Sequence, residues 1–428
     1  MGTFFIQNFG CRTTQAEGAA LATGLMSRGL RPATRREAEL VILNTCTVTA
    51  AADDDVRRSL RRVRRENPAA RILVTGCYAQ RAPQELAAFP GVAWVVGNSH
   101  KSDVADLVSG PSPCRCLIQV GDPGASSWAA AEVSAEDRTR PNLKVQDGCS
   151  ARCAFCLIPL VRGRSRSAPP EWVVAQVRRL SERYREVVLS GINLGRWGRD
   201  LQPRLRLADL VRRLLEETPV ERLRLSSVEP MDLSDALLEL IAGSPRMARH
   251  LHVPLESGCD AVLRRMRRWY RTRHYENRIR AARQRIPEAA LGADVLVGFP
   301  GETDAEFDQT RRFLERLPLT YLHVFTFSAR PGTEAAAMPR QVPMRVRRQR
   351  NRILRELGAA ANLAFRQRMV GRTLSVVTLG TPRAALSDNY LKVELASARE
   401  PNRLLEVHIG DLTEKGLREG PRGVVRRH

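Results

Sequence analysis

No stretch of the 428-residue sequence approaches the roughly 20 consecutive apolar residues that a membrane-spanning helix needs. Met1–Phe9 lacks a basic segment followed by an apolar one, so no secretory signal peptide is expected. Gly2 is followed by Ile6 where N-myristoylation requires Ser or Thr, and that motif fails too. A cytoplasmic protein with no membrane partner is therefore expected. No internal repeat is visible. Lysine is scarce, and nearly all of the positive charge is arginine.

That charge is large. Lys and Arg number 69 against 46 Asp and Glu, a formal net charge of +23, which favours an acidic partner, most commonly nucleic acid. Nine cysteines are abundant for a cytosolic chain, and their odd number argues against a disulfide framework and for metal or redox use.

Apolar runs and amphipathic stretches divide the chain into three parts. The first, residues 1–125, has strand-like segments at Thr3–Gln7, Leu40–Leu43, Arg71–Thr75 and Val92–Val96, with helical patterns at Ala16–Arg28 and Ala51–Arg65 between them. This alternation implies a parallel-sheet α/β domain. Gly110–Glu136 reads as a linker holding one strand, Cys116–Val120. The second part, residues 138–366, continues with six βα units (strands Leu143–Gln146, Glu186–Leu189, Arg222–Leu225, Leu251–Val253, Ala293–Val297 and Tyr321–Phe325), which predicts a partial (β/α)6 barrel. A basic helix over Met344–Met369 follows. In the third part, residues 368–428, the segments Thr373–Val377, Tyr390–Leu395 and Leu404–Ile409 predict a small all-β barrel.

The densest chemistry is Cys149-Ser-Ala-Arg-Cys153-Ala-Phe-Cys156, directly after the first barrel strand and so at the C-terminal face where barrels place active sites. Three thiolates on one tight loop can hold three irons of a four-iron cluster and leave the fourth open to a ligand. A zinc knuckle is the alternative, but zinc wants four ligands and no fourth Cys or His is near. Cys11, Cys46 and Cys77 each follow one of the first three strands. Parallel strand ends share one edge, so three thiols from successive βα loops can converge and hold a second cluster. The plainer alternative is three buried Cys acting as small hydrophobes. Cys114, Cys116 and Cys259 are expected to be ordinary thiols of that kind.

The Cys-x3-Cys-x2-Cys spacing, with an aromatic before the last Cys, resembles the signature of radical S-adenosylmethionine (SAM) enzymes. With it, Asn44–Thr49, Thr75–Gln80, Lys144–Cys149, Arg162–Ser167, Leu251–Gly258 and Asp294–Thr303 together resemble the methylthiotransferase family over almost the whole chain. The resemblance implies a methylthiotransferase N-terminal domain, a radical-SAM barrel and a C-terminal TRAM barrel. It also implies two 4Fe–4S clusters, on Cys149, Cys153 and Cys156 and on Cys11, Cys46 and Cys77, with S-adenosylmethionine and an external electron donor. It places cofactor contacts at barrel strand ends: Ser190 and Gly191, Glu229, and Gly298. Glu256 departs from the family, which commonly carries Gln there, and an ionised carboxylate could accept but not donate a hydrogen bond.

Three substrate branches compete within that family: N6-threonylcarbamoyladenosine in tRNA, N6-isopentenyladenosine in tRNA, and an aspartate of a small-subunit ribosomal protein. The segments Gly191–Asp200, Leu225–Pro230 and His323–Thr333 most resemble the threonylcarbamoyl branch. Arginine clusters, among them Arg61 and Arg65 on one helix, Arg264–Arg273 and Arg345–Arg352, suit the phosphates of a tRNA anticodon stem-loop. Within the second cluster, Arg268, Trp269 and Tyr270 could grip and stack an unstacked base. Nothing in the sequence demands more than a monomer. An iron–sulfur nucleic-acid sensor and a sulfur-inserting radical enzyme with a small-molecule substrate are the competing readings from other classes.

Overall fold

In the first part, Leu-Val-Ile-Leu-Asn-Thr is buried at every position, as a central parallel strand covered on both faces must be. The computed structural model describes residues 2–111, 113–124 and 139–421. Its first six strands are β1 (Thr3–Asn8), β2 (Arg31–Pro32), β3 (Leu40–Thr45), β4 (Arg71–Gly76), β5 (Val92–Val96) and β6 (Leu117–Gln119). They form one parallel sheet in the order β2-β1-β3-β4-β5-β6. The two-residue period of β3 sends Val41 and Leu43 to one face, against Val56, Leu60 and Val63 of the helix Ala50–Glu66. It sends Leu40 and Ile42 to the other face, against Leu21 and Leu25 of the helix Arg12–Met26. Thr49 caps the helix Ala50–Glu66 by accepting from the Ala52 N–H.

The second part contains β7 (Asn142–Asp147), β8 (Arg166–Ser167), β9 (Glu186–Gly191), β10 (Arg222–Leu225), β11 (His250–His252), β12 (Ala290–Val297) and β13 (Tyr321–Thr326). Apart from the short antiparallel β8, these strands run parallel as β7-β9-β10 and β11-β12-β13, joined by a bridge between Leu223 and Met247. This is the six-strand partial barrel, open after β13. Its helices lie outside, and side chains such as Val187, Leu189, Leu223 and Val295 pack beneath them. The helix Asp304–Glu315 starts at a Thr303/Glu306 capping box.

Met344–Gln367 is one helix, and it leads to a closed barrel of β14 (Thr373–Thr378), β15 (Ala384–Ser387), β16 (Lys392–Glu394), β17 (Leu404–Leu412) and β18 (Leu417–Glu419). The sequence pattern does not predict β15 and β18: each is only three or four residues long, and Ala-Ala-Leu-Ser carries little strand propensity. The strand expected from Tyr390 starts only at Lys392, because Tyr390 has φ +68 and closes the turn after Asp388-Asn389. The closed barrel is fastened under the radical barrel by Arg224, whose Nη1 and Nη2 donate to the Asp388 and Ser387 carbonyls at 2.9 and 3.0 Å. No helix of the described residues is long and apolar enough to cross a membrane.

Candidate active site

Cys11 precedes the first turn of Arg12–Met26, Cys46 follows β3, and Cys77 opens the short helix Cys77–Arg81 after β4. All three occupy the C-terminal edge of the sheet. Two glycines permit the close approach. Gly10 has φ +93, and a Cβ there would lie 2.6 Å from Cys46 Cβ; Gly76 has φ +102, and its Cβ would meet the Thr45 carbonyl oxygen at 2.4 Å. Burial, together with the neighbouring Cys77 and Cys11, pushes the Cys46 thiol up to about 12. Three cysteine sulfurs brought to one sheet edge are a donor set that fits an iron cluster.

Donors surround this triad. Arg162 Nε donates to Cys77 Sγ at 3.2 Å, and Asn98 Nδ2 at 3.5 Å. Arg162 is buried, and its Nη1 also bonds Glu17 at 2.6 Å and Asp147 at 2.9 Å. Lys101 and Lys144 complete the network on Glu17, at 2.5 and 3.1 Å. Burial alone would raise the Glu17 carboxyl, but these three cations outweigh it and hold it well below its ordinary value. Glu17 and Lys101 belong to the first domain, Lys144, Asp147 and Arg162 to the barrel. The network therefore seals the two together behind Cys77.

The loop Cys149–Cys156 lies across from it. The Ala151 and Ile158 N–H groups approach the Cys149 and Cys156 sulfurs at 3.4 Å each, and Asn193 Nδ2 reaches Cys149 at 3.7 Å. Arg268 Nη1 donates to Cys153 Sγ at 3.3 Å. Burial, reinforced by Cys153 and Cys149, pushes Cys156 up to about 12. Between the two triads lies a cavity of about 240 Å³ whose wall includes both Cys77 and Cys156. Phe155, Val161, Leu296 and Phe325 make most of it apolar, while Thr47, Thr49, Glu256 and Asp294 add polar groups.

Residues 3–97 match the uncharacterized protein family UPF0004, and residues 143–314 match the radical SAM superfamily. The chain is 34% identical over 412 residues to the threonylcarbamoyladenosine tRNA methylthiotransferase MtaB of Aquifex aeolicus, a match covering 94% of this chain and 99% of that protein. It is 38% identical to the protein of that name from Bacillus subtilis, over 82% of this chain and 79% of the relative. The tRNA-2-methylthio-N(6)-dimethylallyladenosine synthase of Syntrophotalea carbinolica is 34% identical, with 90% of each chain covered. The chain belongs to the methylthiotransferase family of radical SAM enzymes. Among solved structures, the radical S-adenosylmethionine methyltransferase TsrM from Kitasatospora setae shares the fold, with a TM-score of 0.57 and 16% identity over 78% of this chain and 76% of that one.

Within this methylthiotransferase the expected cofactor residues sit unevenly. Glu229 pairs with Arg268 beside Cys153. Ser190 is buried, its hydroxyl donating to the Leu143 carbonyl at 3.3 Å, and Gly191 abuts Gln146. Gly298 has φ +74, but the space a Cβ would take there is occupied by Arg347, with Cγ at 2.4 Å, and its N–H goes to Glu302 at 2.7 Å. Glu256 lines the central cavity, and burial, with repulsion from Asp294 and Glu229 against the pull of Arg268, pushes its carboxyl up to about 8. The upward shift favours the protonated form, which can donate as the Gln of relatives would.

The expected RNA-binding group divides. Arg61 and Arg65 are exposed and make no ion pair among the described residues, and Trp269 is 74% exposed. Arg268 and Tyr270 are a correction. Tyr270 is buried, its hydroxyl donating to the Leu255 carbonyl at 2.7 Å, and the Arg268 side chain, 7% exposed, lies against Cys153 and Glu229. Neither is available to stack on RNA. Arg347 and Arg350 of the Arg345–Arg352 cluster are likewise buried, Arg350 on Glu302 at 2.6 Å. Cys259 packs among Ala154, Val262 and Phe299 as a small hydrophobe. Sequence reasoning does not single out Glu17, Lys101, Asn98 or Phe325. Arg162 stands inside a family-like segment, but nothing in that segment indicates that it reaches Cys77.

Proposed function

We propose that this enzyme places a methylthio group on position 2 of N6-threonylcarbamoyladenosine beside the anticodon of tRNA, as a cytoplasmic monomer holding two 4Fe–4S clusters fed by an external electron donor. The observation that carries this reading is the single cavity walled by Cys77 of one triad and Cys156 of the other. When bound, the clusters and S-adenosylmethionine would supply the radical that removes hydrogen from an unreactive ring carbon, and the sulfur and methyl group that replace it. The protein's part is placement and shielding. Cys149, Cys153 and Cys156 would hold one cluster and Cys11, Cys46 and Cys77 the other, with Arg268 and Arg162 donating to one sulfur of each set. Phe155, Val161 and Leu296 give the space between them an apolar lining. Glu256 offers a hydrogen-bond donor at the cavity wall.

The threonylcarbamoyl substrate is supported by relatives of that name at 34% and 38% identity. The test is mass spectrometry of nucleosides from bulk tRNA of cells lacking the gene and of cells carrying it back. Loss and return of the 2-methylthio-threonylcarbamoyl nucleoside is the expected result. A response of the isopentenyl nucleoside instead would move the substrate to the other tRNA branch, and no response in either would turn attention to a ribosomal-protein aspartate or a sensor role.

A further inference from the structure

A second cavity, also of about 240 Å³, opens where the interior of the radical barrel meets the C-terminal barrel. Tyr321 and His323 of β13, Asn362 of the connecting helix, and Tyr390, Lys392 and Lys415 of the C-terminal barrel line it. Its chemistry is the reverse of the first cavity's. The wall of the first includes two carboxyl groups, Glu256 and Asp294, and no Lys or Arg. The wall of the second includes two lysines and no carboxyl group.

The sequence has four lysines: Lys101, Lys144, Lys392 and Lys415. The first two are consumed by Glu17 behind Cys77. The other two are exposed and both face this cavity. Lys415 has only the exposed Glu414 near it, at 3.5 Å, and Lys392 makes no ion pair among the described residues. Two ammonium groups beside an amide and aromatic rings suit an anion attached to a flat base. At about 240 Å³ it matches the cavity between the two triads in size.

The two cavities are neighbours along one strand. His323 lines the second and Phe325 the first, two residues apart on β13, or about 6.6 Å at about 3.3 Å per residue. Both side chains are partly exposed, at 53% and 46%, on the edge strand where the barrel stays open. Asp294, on the wall of the first cavity, pairs with His252 Nε2 at 3.0 Å and with His323 Nδ1 at 3.3 Å, and so links the two walls. A single strand of RNA entering by that open edge can occupy both.

We propose that the second cavity is a nucleotide subsite that takes the residue adjoining the target adenosine in the RNA loop, its phosphate on Lys392 and Lys415 and its base against Tyr321 and His323. This rests on the tRNA reading above. Recognition of the neighbouring nucleotide would then add loop-sequence preference to a reaction whose own cavity sees only the modified base.

The test uses the full chain and a fluorescent RNA hairpin with an anticodon stem-loop sequence, titrated by anisotropy over a salt series. Each of Lys392→Gln and Lys415→Gln should lower the slope of log affinity against log salt by about 1, and the pair by about 2. Lys392→Arg with Lys415→Arg should restore the slope. With 4-thiouridine placed next to the target adenosine, irradiation should cross-link the hairpin to the Tyr321–Thr326 strand in the wild type. An unchanged slope and affinity in the double glutamine variant, or a cross-link confined to other segments, overturns the subsite. So does competition by inorganic phosphate that the double variant abolishes while the RNA slope stays unchanged, since that marks a site for the free anion. Failure of the wild type to bind the hairpin even at low salt would instead overturn the tRNA reading on which the subsite stands.

Discussion

The two cysteine triads reach one cavity by opposite routes. Cys149, Cys153 and Cys156 share a single loop, so their mutual placement is a matter of local backbone. Cys11, Cys46 and Cys77 come from three loops that meet only because β1, β3 and β4 pair in parallel register, as Phe5 with Val41 and Val41 with Ile72. One triad is written in the sequence, and the other is written in a sheet. Damage to the sheet should therefore disable the second while sparing the first, and the reverse should be hard to arrange.

The largest effect should come from the sulfurs themselves. Cys156→Ala is expected to abolish both S-adenosylmethionine cleavage and methylthio product, while Cys46→Ala abolishes product and leaves cleavage running. Chromatography of 5′-deoxyadenosine and of the modified nucleoside from the same reaction separates them, and loss of cleavage in Cys46→Ala would show that the triads do not act independently. Next in size is Arg162→Ala, which strips Glu17 and Asp147 of a buried partner. Breaking a buried pair in this way costs about 3–5 kcal/mol, seen as a lower denaturation midpoint. Iron content at the dispersed triad should fall in the same variant, because the donor to Cys77 goes with it. Arg162→Ala with unchanged stability and iron content would mean that the network is not what joins the domains.

Ile42→Ala, wholly buried beside β1 and β4, should cost about 2–5 kcal/mol and loosen the strand that carries Cys46. Iron retained by the loop triad but reduced at the sheet triad, read by Mössbauer or by iron counts in triad-deleted variants, is the expected pattern. Equal loss from both would erase the distinction. The gentlest probe changes no residue. With clusters removed, Cys46 and Cys156, both pushed up to about 12, are thiols at pH 8, where about one in ten thousand is thiolate. Their alkylation should be slow and rise about tenfold per pH unit, whereas Cys11 is exposed and should react first. Mass mapping of iodoacetamide adducts across a pH series checks the order.

The element order was legible because buried parallel strands read as continuous apolar runs, as Leu40–Leu43 does within β3; the helix Ala50–Glu66 exceeds the expected Ala51–Arg65 by one residue at each end. Short elements such as β15 and β18 were not, since three or four residues carry too little pattern to stand out and owe their strand state to barrel closure. At the site, the cysteines were legible because thiols at loop positions after strands have few other uses. Their partners were not. Arg268 reads like any member of a basic cluster until the fold buries it on Cys153, and Glu17 reads like any helix glutamate until Arg162 and two lysines close around it.

By itself, then, the sequence determined the α/β fold class with its small C-terminal barrel and the kinship with methylthiotransferases, which depend on residue type, spacing and order along the chain, and it singled out the six sulfurs proposed as cluster ligands. Only the tertiary structure decided which arginines sit against the sulfurs rather than in solvent, that burial raises the Glu256 carboxyl, and that the two triads open on one cavity with a lysine-lined neighbour. Those facts depend on desolvation and on distances between segments far apart in the chain, and a side chain's identity is the same on either side of that difference.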